Sequence, residues 1–166
     1  MRSIRIVPIT EMKQIEIVCQ LAADIWMEHY EPIIGQEQVH YMIEKFQSPE
    51  PVQNQINNGY QYFFLRLKDE NAGYMAFNQE DGKMFLSKMY VAKPYRKQGI
   101  AGAAFAFAEG ECRINGLGSI WLTVNKHNSH SIAAYERLGF VTIREQVADI
   151  GNGYVMDDFV MEKAIS

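Results

Sequence analysis

Ile4 and Ile6 alternate with arginine over Arg2–Ile9, the period-two pattern of a half-buried strand. The period then lengthens. Ile15, Val18, Leu21, Ala22, Ile25 and Trp26 recur at helical spacing, which predicts a helix from Thr10-Glu11 to about His29. Val39, Met42, Ile43 and Phe46 predict a second helix over Gln36–Phe46. The polar stretch Gln47–Asn58 holds Pro49 and Pro51 and reads as a connection with a short helix, not as a domain boundary.

Beyond it the period returns to two. Tyr60–Lys68 is rich in β-formers, Asp69-Glu70-Asn71 turns the chain, and Gly73–Gln79 is a further strand. Asp81-Gly82 is a hairpin signal leading into Lys83–Val91, so these three strands form an antiparallel meander. The alanine-rich run Ile100–Ile114 predicts a helix roughly 23 Å long at about 1.5 Å per residue, closed by Asn115-Gly116. Gly118–Val124 follows as a strand, and a strand–helix–strand unit makes its two strands parallel. Asn128-Ser129 opens a short helix through Leu138, and Phe140–Ile150 and Tyr154–Glu162 flank Gly151-Asn152-Gly153 as a hairpin. The expected fold is α/β: about seven strands in one mixed sheet with about four helices.

The chain has 166 residues, which predicts a single domain over residues 1–166. With 48% hydrophobic and 22% charged residues it has material for a sizeable core, and a disordered chain is not expected. No apolar run approaches the roughly 20 residues that span a bilayer, and the start Met1–Ile6 lacks the apolar core of a signal peptide. A net charge of −4 argues against a nucleic-acid binder. Cys19 and Cys112 form no CxxC pair, which argues against a disulfide scaffold or a cysteine zinc site. A cytoplasmic protein with reduced thiols is expected.

The candidate chemistry lies in Val91–Gly102, VAKPYRKQGIAG, between a strand and a helix start. A helix N-terminus offers unpaired N–H groups and about half a positive charge. Gly99 lets a ligand approach the backbone, Ala101 and Gly102 keep the first turn bare, and Arg96 and Lys97 add cations. This is a phosphate cradle in physical terms, although a strand–helix loop whose glycines serve only packing has the same composition. It is neither GxxxxGK[ST] nor GxGxxG.

Arg96-x-x-Gly99-x-Ala101 resembles the [RQ]-x-x-G-x-[GA] signature of GNAT N-acetyltransferases, which move an acetyl group from acetyl-CoA to an amine. Met84–Val91 and Trp121–Val124 resemble the family's fourth and fifth strands. Val91–Tyr95 is similar to the V-x-P-x-Y lead, with one residue more than its shortest form. Asn125–Phe140 resembles the block N-x-x-[NS]-x-x-[AS]-x-x-x-Y-x-x-x-G-F. The likeness covers residues 84–140; elsewhere only the order of elements agrees.

The resemblance implies a mostly antiparallel GNAT-like sheet whose acyl-CoA-binding core is the unit from Lys83 through the Ile100–Ile114 helix to Val124. Acetyl-CoA would be the acetyl-donor cosubstrate, with no metal. Its pyrophosphate would rest on backbone N–H groups of Lys97, Gln98, Gly99, Ile100, Ala101 and Gly102, beside Arg96. Its pantetheine arm would pair with Met89, Tyr90 and Val91 and meet Asn128 and Ser131, in the gap where the fourth and fifth strands splay. A main-chain N–H near Tyr90 would polarise the acetyl carbonyl. Tyr135 stands where the family places the phenol that protonates the leaving thiolate, so Tyr135 and Asn128 are the implied catalytic residues. The amine would attack directly through a tetrahedral intermediate.

The base is open. Glu28, His29, Tyr30 and Glu31 lie near the end of the first helix, where such enzymes line the acceptor, so Glu28 and Tyr30 are candidate substrate contacts; a solvated helix terminus is the plain alternative. Lys88 stands where some relatives carry a carboxylate base, a departure that favours a water relay. Asp157-Asp158 reads as a solvated strand edge, with an acceptor-facing role as the alternative. His29, His127 and His130 lack a carboxylate at ligand spacing, Cys112 reads as a core thiol, and Met84, Met89, Met156 and Met161 as core or cleft packing. The expected acceptor is a small-molecule amine, a polyamine or a peptide amine; nucleic acid and membrane are not expected as partners, and a homodimer is expected by analogy alone. The competing function classes are a non-catalytic acyl-CoA-binding regulatory module and a module binding another nucleotide.

Overall fold

A computed structural model describes residues 3–166; the predicted strand start at Arg2 lies outside them. Chain order is β1 (Ile4–Ile9), α1 (Met12–Ile34), α2 (Gln36–Phe46), α3 (Pro49–Asn57), β2 (Gln61–Leu67), β3 (Glu70–Glu80), β4 (Lys83–Val91), a 3-10 turn (Lys93–Tyr95), α4 (Ile100–Ile114), β5 (Ser119–Asn125), α5 (Ser129–Arg137), β6 (Val141–Gly151) and β7 (Tyr154–Ala164). The seven strands form one sheet in the order β1-β2-β3-β4-β5-β7-β6. Only β4 and β5 are parallel; the other neighbours are antiparallel.

The elements follow from local chemistry. Gln14 accepts from the backbone N–H groups of Thr10 and Glu11 at 2.9 and 3.0 Å and so fixes the start of α1. That helix runs about a turn beyond its predicted end near His29, past Pro32, until Gly35 at φ 86 stops it. The expected short helix of the polar connection is complete: Pro49 stands in the first turn of α3, where its fixed φ favours a helix start. Five α-helices therefore stand among the described residues, against about four expected. None of them is long and apolar enough to cross a membrane.

Two cores sandwich the sheet. On one face Ile15, Val18, Ile25 and Trp26 of α1 meet Tyr62, Phe64 and Tyr74. On the other, Ile100, Ala104, Phe105 and Ala108 of α4 meet Phe63, Leu65, Met75 and Phe77. Covering both faces explains why β2 is nearly continuously apolar instead of alternating. The first core also holds a polar chain: the Trp26 indole donates to the Tyr74 hydroxyl (2.9 Å), which donates to buried Gln47 (2.6 Å), whose amide donates to Tyr62 (3.0 Å). Each buried group finds a partner, so the network fixes α1 and the α2–α3 junction on the sheet without an unsatisfied polar atom.

Two local features shape β4. Its register with β3 shifts between Ala76 and Phe77, leaving Ser87 as an extra residue. Met84 and Leu86 face the α4 core ahead of this bulge; after it Met89 and Val91 do, while Lys88 and Tyr90 turn to the α1 side. Without the bulge the parity would be reversed and Lys88 would enter the α4 core. In addition, β3 approaches so closely that a Cβ at Gly73 would lie 2.1 Å from the Tyr90 carbonyl oxygen.

Candidate active site

β4 and β5 pair at Met84–Ile120 and Phe85–Trp121 only, and the stacked Phe85 and Trp121 rings, 4.2 Å apart, mark the last paired step. Beyond it the strands part, as the resemblance implied. A cavity of about 240 Å³ lies on the α4–α5 side of the gap and one of about 290 Å³ on the α1–α3 side. Tyr30, Ser87, Tyr90 and Thr123 line both, so the two cavities meet in the gap.

The α4-side cavity gathers eight of the residues expected to hold the donor: Met89, Tyr90, Val91, Arg96, Ala101, Asn128, Ser131 and Tyr135. At its mouth Lys97 (φ 64) and Gly99 (φ 85) take left-handed conformations before α4 begins. The first backbone bond of the helix runs from Ala103 to Gly99 at 3.1 Å, which leaves the N–H groups of Ile100, Ala101 and Gly102 without helical partners. Nothing lies within 4 Å of where a Cβ would stand at Gly99 or Gly102. Bare amides facing open space, next to a β4 edge that β5 does not cover, fit a diphosphate carrying an extended arm. Ile100 itself is buried in the core, so its backbone alone is available.

Arg96 is already engaged. Its Nε donates to the Val91 carbonyl (2.9 Å), and its two Nη groups meet Glu28 at 3.0 and 3.1 Å. Glu28, a candidate acceptor contact in the sequence, thus sits against the donor turn and lines neither cavity. The guanidinium holds its carboxyl below the ordinary range. Asn128 is buried; its Oδ1 accepts from the Ser131 N–H (3.3 Å) and caps α5, while its amide meets the His29 Nε2 (3.0 Å). Burial, then the Arg96 charge, lower the His29 pKa, so this imidazole is neutral near pH 7. Tyr135 packs edge-on against Phe105 and beside Phe140 and lines the cavity. Burial raises its pKa, with Tyr30 adding to the effect, and keeps the phenol protonated.

The α1-side cavity has apolar walls from Trp26, Ile34, Met42, Phe46 and Phe85 and, besides its tyrosines, one amine and one carboxyl, Lys88 and Asp158. Tyr30 donates to or accepts from Tyr90 at 2.8 Å between the two cavities, and burial raises its pKa to about 12. Asp158 is 4% exposed, and burial, then neighbouring Asp157, push its carboxyl up to about 6. The solvated-edge reading fails for this residue because β7 lies inside the sheet, between β5 and β6. Asp157 does face outward and pairs with Lys126 at 2.8 Å. Sequence reasoning also left Ser87, Thr123 and Trp26 unassigned. Alternation along β5 could have suggested Thr123, but the bulge that brings out Ser87 and Lys88 has no sequence marker.

The gap in the sheet thus has a bare helix start on one side and a cavity lined by a lysine and a carboxyl on the other. The sequence model of the acetyltransferase (GNAT) family matches residues 20–140. The chain belongs to this acyltransferase family. It is 29% identical over 87 residues to GCN5-related N-acetyltransferase 6, chloroplastic, of Arabidopsis thaliana; the match covers 51% of this chain and 28% of that protein. The crystal structure of the PaiA N-acetyltransferase of Thermoplasma acidophilum in complex with coenzyme A is similar at TM-score 0.81 and 22% identity, over 98% of this chain and 99% of that one. The ribosomal-protein-S18-alanine N-acetyltransferase of Escherichia coli is similar at TM-score 0.69 and 19% identity, over 99% and 95%.

Proposed function

We propose that the chain is an acetyl-CoA-dependent N-acetyltransferase acting on a primary amine of a small molecule by direct attack. The observation that carries this reading is the meeting of two cavities at Tyr30, Ser87, Tyr90 and Thr123, with a phenol on one side and a buried carboxyl on the other. Acetyl-CoA, when bound, supplies a thioester that a neutral amine can attack. The cavity volume of about 290 Å³ suits a small acceptor.

Roles follow from position. Backbone N–H groups from Lys97 to Gly102 hold the diphosphate, and Met89, Tyr90 and Val91 offer their free strand edge to the arm. Asn128 and Ser131 border that arm, and the N–H near Tyr90 faces the carbonyl. An alkylamine is protonated near neutral pH, with a pKa near 10.4, so it must first lose one proton to solvent to expose the attacking lone pair; the nitrogen becomes acidic as the new N–C bond forms and sheds a second proton. Asp158 takes it, directly or through water, because its carboxyl is ionised at pH 7 and shares the acceptor cavity. Tyr135, held protonated, donates to the sulfur as the C–S bond breaks. Arg96 and Glu28 position the turn.

Calorimetric titration with acetyl-CoA, CoA, ATP and NAD, followed by thiol release over an amine panel, tests the reading. Acetyl-CoA and CoA should compete for one site and at least one amine should release thiol. CoA binding with no turnover would leave a binding module in its place; ATP or NAD binding without CoA competition would overturn the donor site.

A further inference from the structure

Lys88 does nothing in the proposed chemistry, yet the fold turns it into the acceptor cavity. The bulge at Ser87 aims it there. Its Nζ donates to the Ser87 Oγ at 2.8 Å and the Ser87 carbonyl at 3.2 Å and lies 5.9 Å from the Trp26 ring. Among the described residues it makes no ion pair, whereas Arg96, Lys126 and Lys83 each pair with a carboxylate. Asp158 lines the same cavity from β7, with β5 between the two strands, and does not pair with it. The cavity therefore holds one cation and one carboxylate apart, inside walls of Trp26, Ile34, Met42, Phe46, Tyr60 and Phe85.

We infer that the acceptor is an α-amino carboxylate with an apolar or aromatic side chain, its carboxylate on Lys88 and its amine towards Asp158. The inference deepens the proposed function and rests on it. Lys88 binds Ser87, and Ser87 borders the donor cavity, so the cation stands beside the place where the amine must attack. The anion it reads must then lie close to that amine, as an α-carboxylate does. A single cation matches a single negative charge, and its attraction is stronger beside apolar walls than in open water. A polyamine would bring a second cation against Lys88, and a peptide N-terminus has no free carboxylate to offer it. Burial lowers the Lys88 pKa to about 8, the behaviour of a cation that lacks its anion.

The test uses matched pairs differing only in the carboxylate: phenylalanine and phenethylamine, tryptophan and tryptamine, leucine and isoamylamine, with spermidine as the polycation. Thiol release at pH 7 gives kcat/KM, and calorimetry gives acetyl-CoA affinity. Wild type should favour the carboxylate member of at least one pair by about tenfold or more. Lys88→Met should bring that ratio to about one, chiefly through KM; Lys88→Arg should keep most of it, and both should bind acetyl-CoA as wild type does. Wild-type preference for the plain amines or spermidine, an unchanged ratio in Lys88→Met, or acetyl-CoA binding with no turnover on any carboxylate would overturn the inference. Failure to bind acetyl-CoA would instead remove the reading beneath it.

Discussion

The two cavities have nearly equal volumes but are built differently. The donor side draws its wall mostly from one stretch, Leu86–Leu138, joined by α1 residues His29 and Tyr30. The acceptor side draws on α1, α2, α3, β4, β5 and β7, from Trp26 to Asp158. Under the proposed function, a donor common to many reactions is held by one strand–helix–strand unit, whereas the acceptor is read by elements far apart in sequence. If that division is functional, changes on the two sides should separate into turnover, binding and acceptor choice.

The largest effect should come from Tyr135→Phe. Removing one hydroxyl deletes the proton donor while keeping the ring against Phe105 and Phe140. Turnover should fall about 10²-fold or more with acetyl-CoA affinity unchanged. Equal turnover in the variant would take Tyr135 out of the chemistry and reduce it to packing.

Asp158→Asn should come next, with turnover lower by about 10- to 100-fold. The diagnostic is the pH profile. A base works only when ionised, so wild-type kcat should rise with pH through about 6 and the variant should lose that limb. Stability runs the opposite way. The folded state binds the Asp158 proton more tightly than the unfolded chain does, so this residue's contribution falls as pH rises from about 3.8 through 6. An unchanged acidic limb in the variant would assign the proton to another group.

The same division explains what was legible in the sequence. Arg96-x-x-Gly99-x-Ala101 and the block ending in Phe140 depend on fixed spacings in continuous chain, so many of the residues that line the α4-side cavity could be named by number. The order and type of the elements followed from apolar periodicity. Acceptor residues carry no such spacing. Asp158 looked like an edge carboxylate because strand order cannot be read from alternation, and β7 lies inside the sheet. Which face Lys88 takes is equally unreadable, because a bulge at Ser87 reverses the face of every later β4 residue. Glu28 stands on the helix that borders both cavities, but its contact with Arg96 is visible only in the folded chain.

That Glu28–Arg96 pair gives the smallest and most selective expectation, since it joins the donor turn to the helix that walls the acceptor. Its side chains are 35% and 36% exposed, so solvent screens it and its worth to stability is about 0.2–1 kcal/mol. Glu28→Gln should therefore lower Tm by no more than about 4 °C. Because Glu28 is held below its ordinary pKa of 4.5, the wild-type contribution is complete above that value and disappears as pH falls through the folded one. Arg96 keeps its bond to the Val91 carbonyl in the variant, so the turn persists but is less firmly held. Acetyl-CoA affinity should weaken about two- to threefold at low salt, and the difference from wild type should shrink as ionic strength rises. The matched-pair preference of the acceptor should not move. A change in that preference larger than the change in acetyl-CoA affinity would mean that Glu28 acts on the acceptor after all, and that the two sides are not separable at this joint.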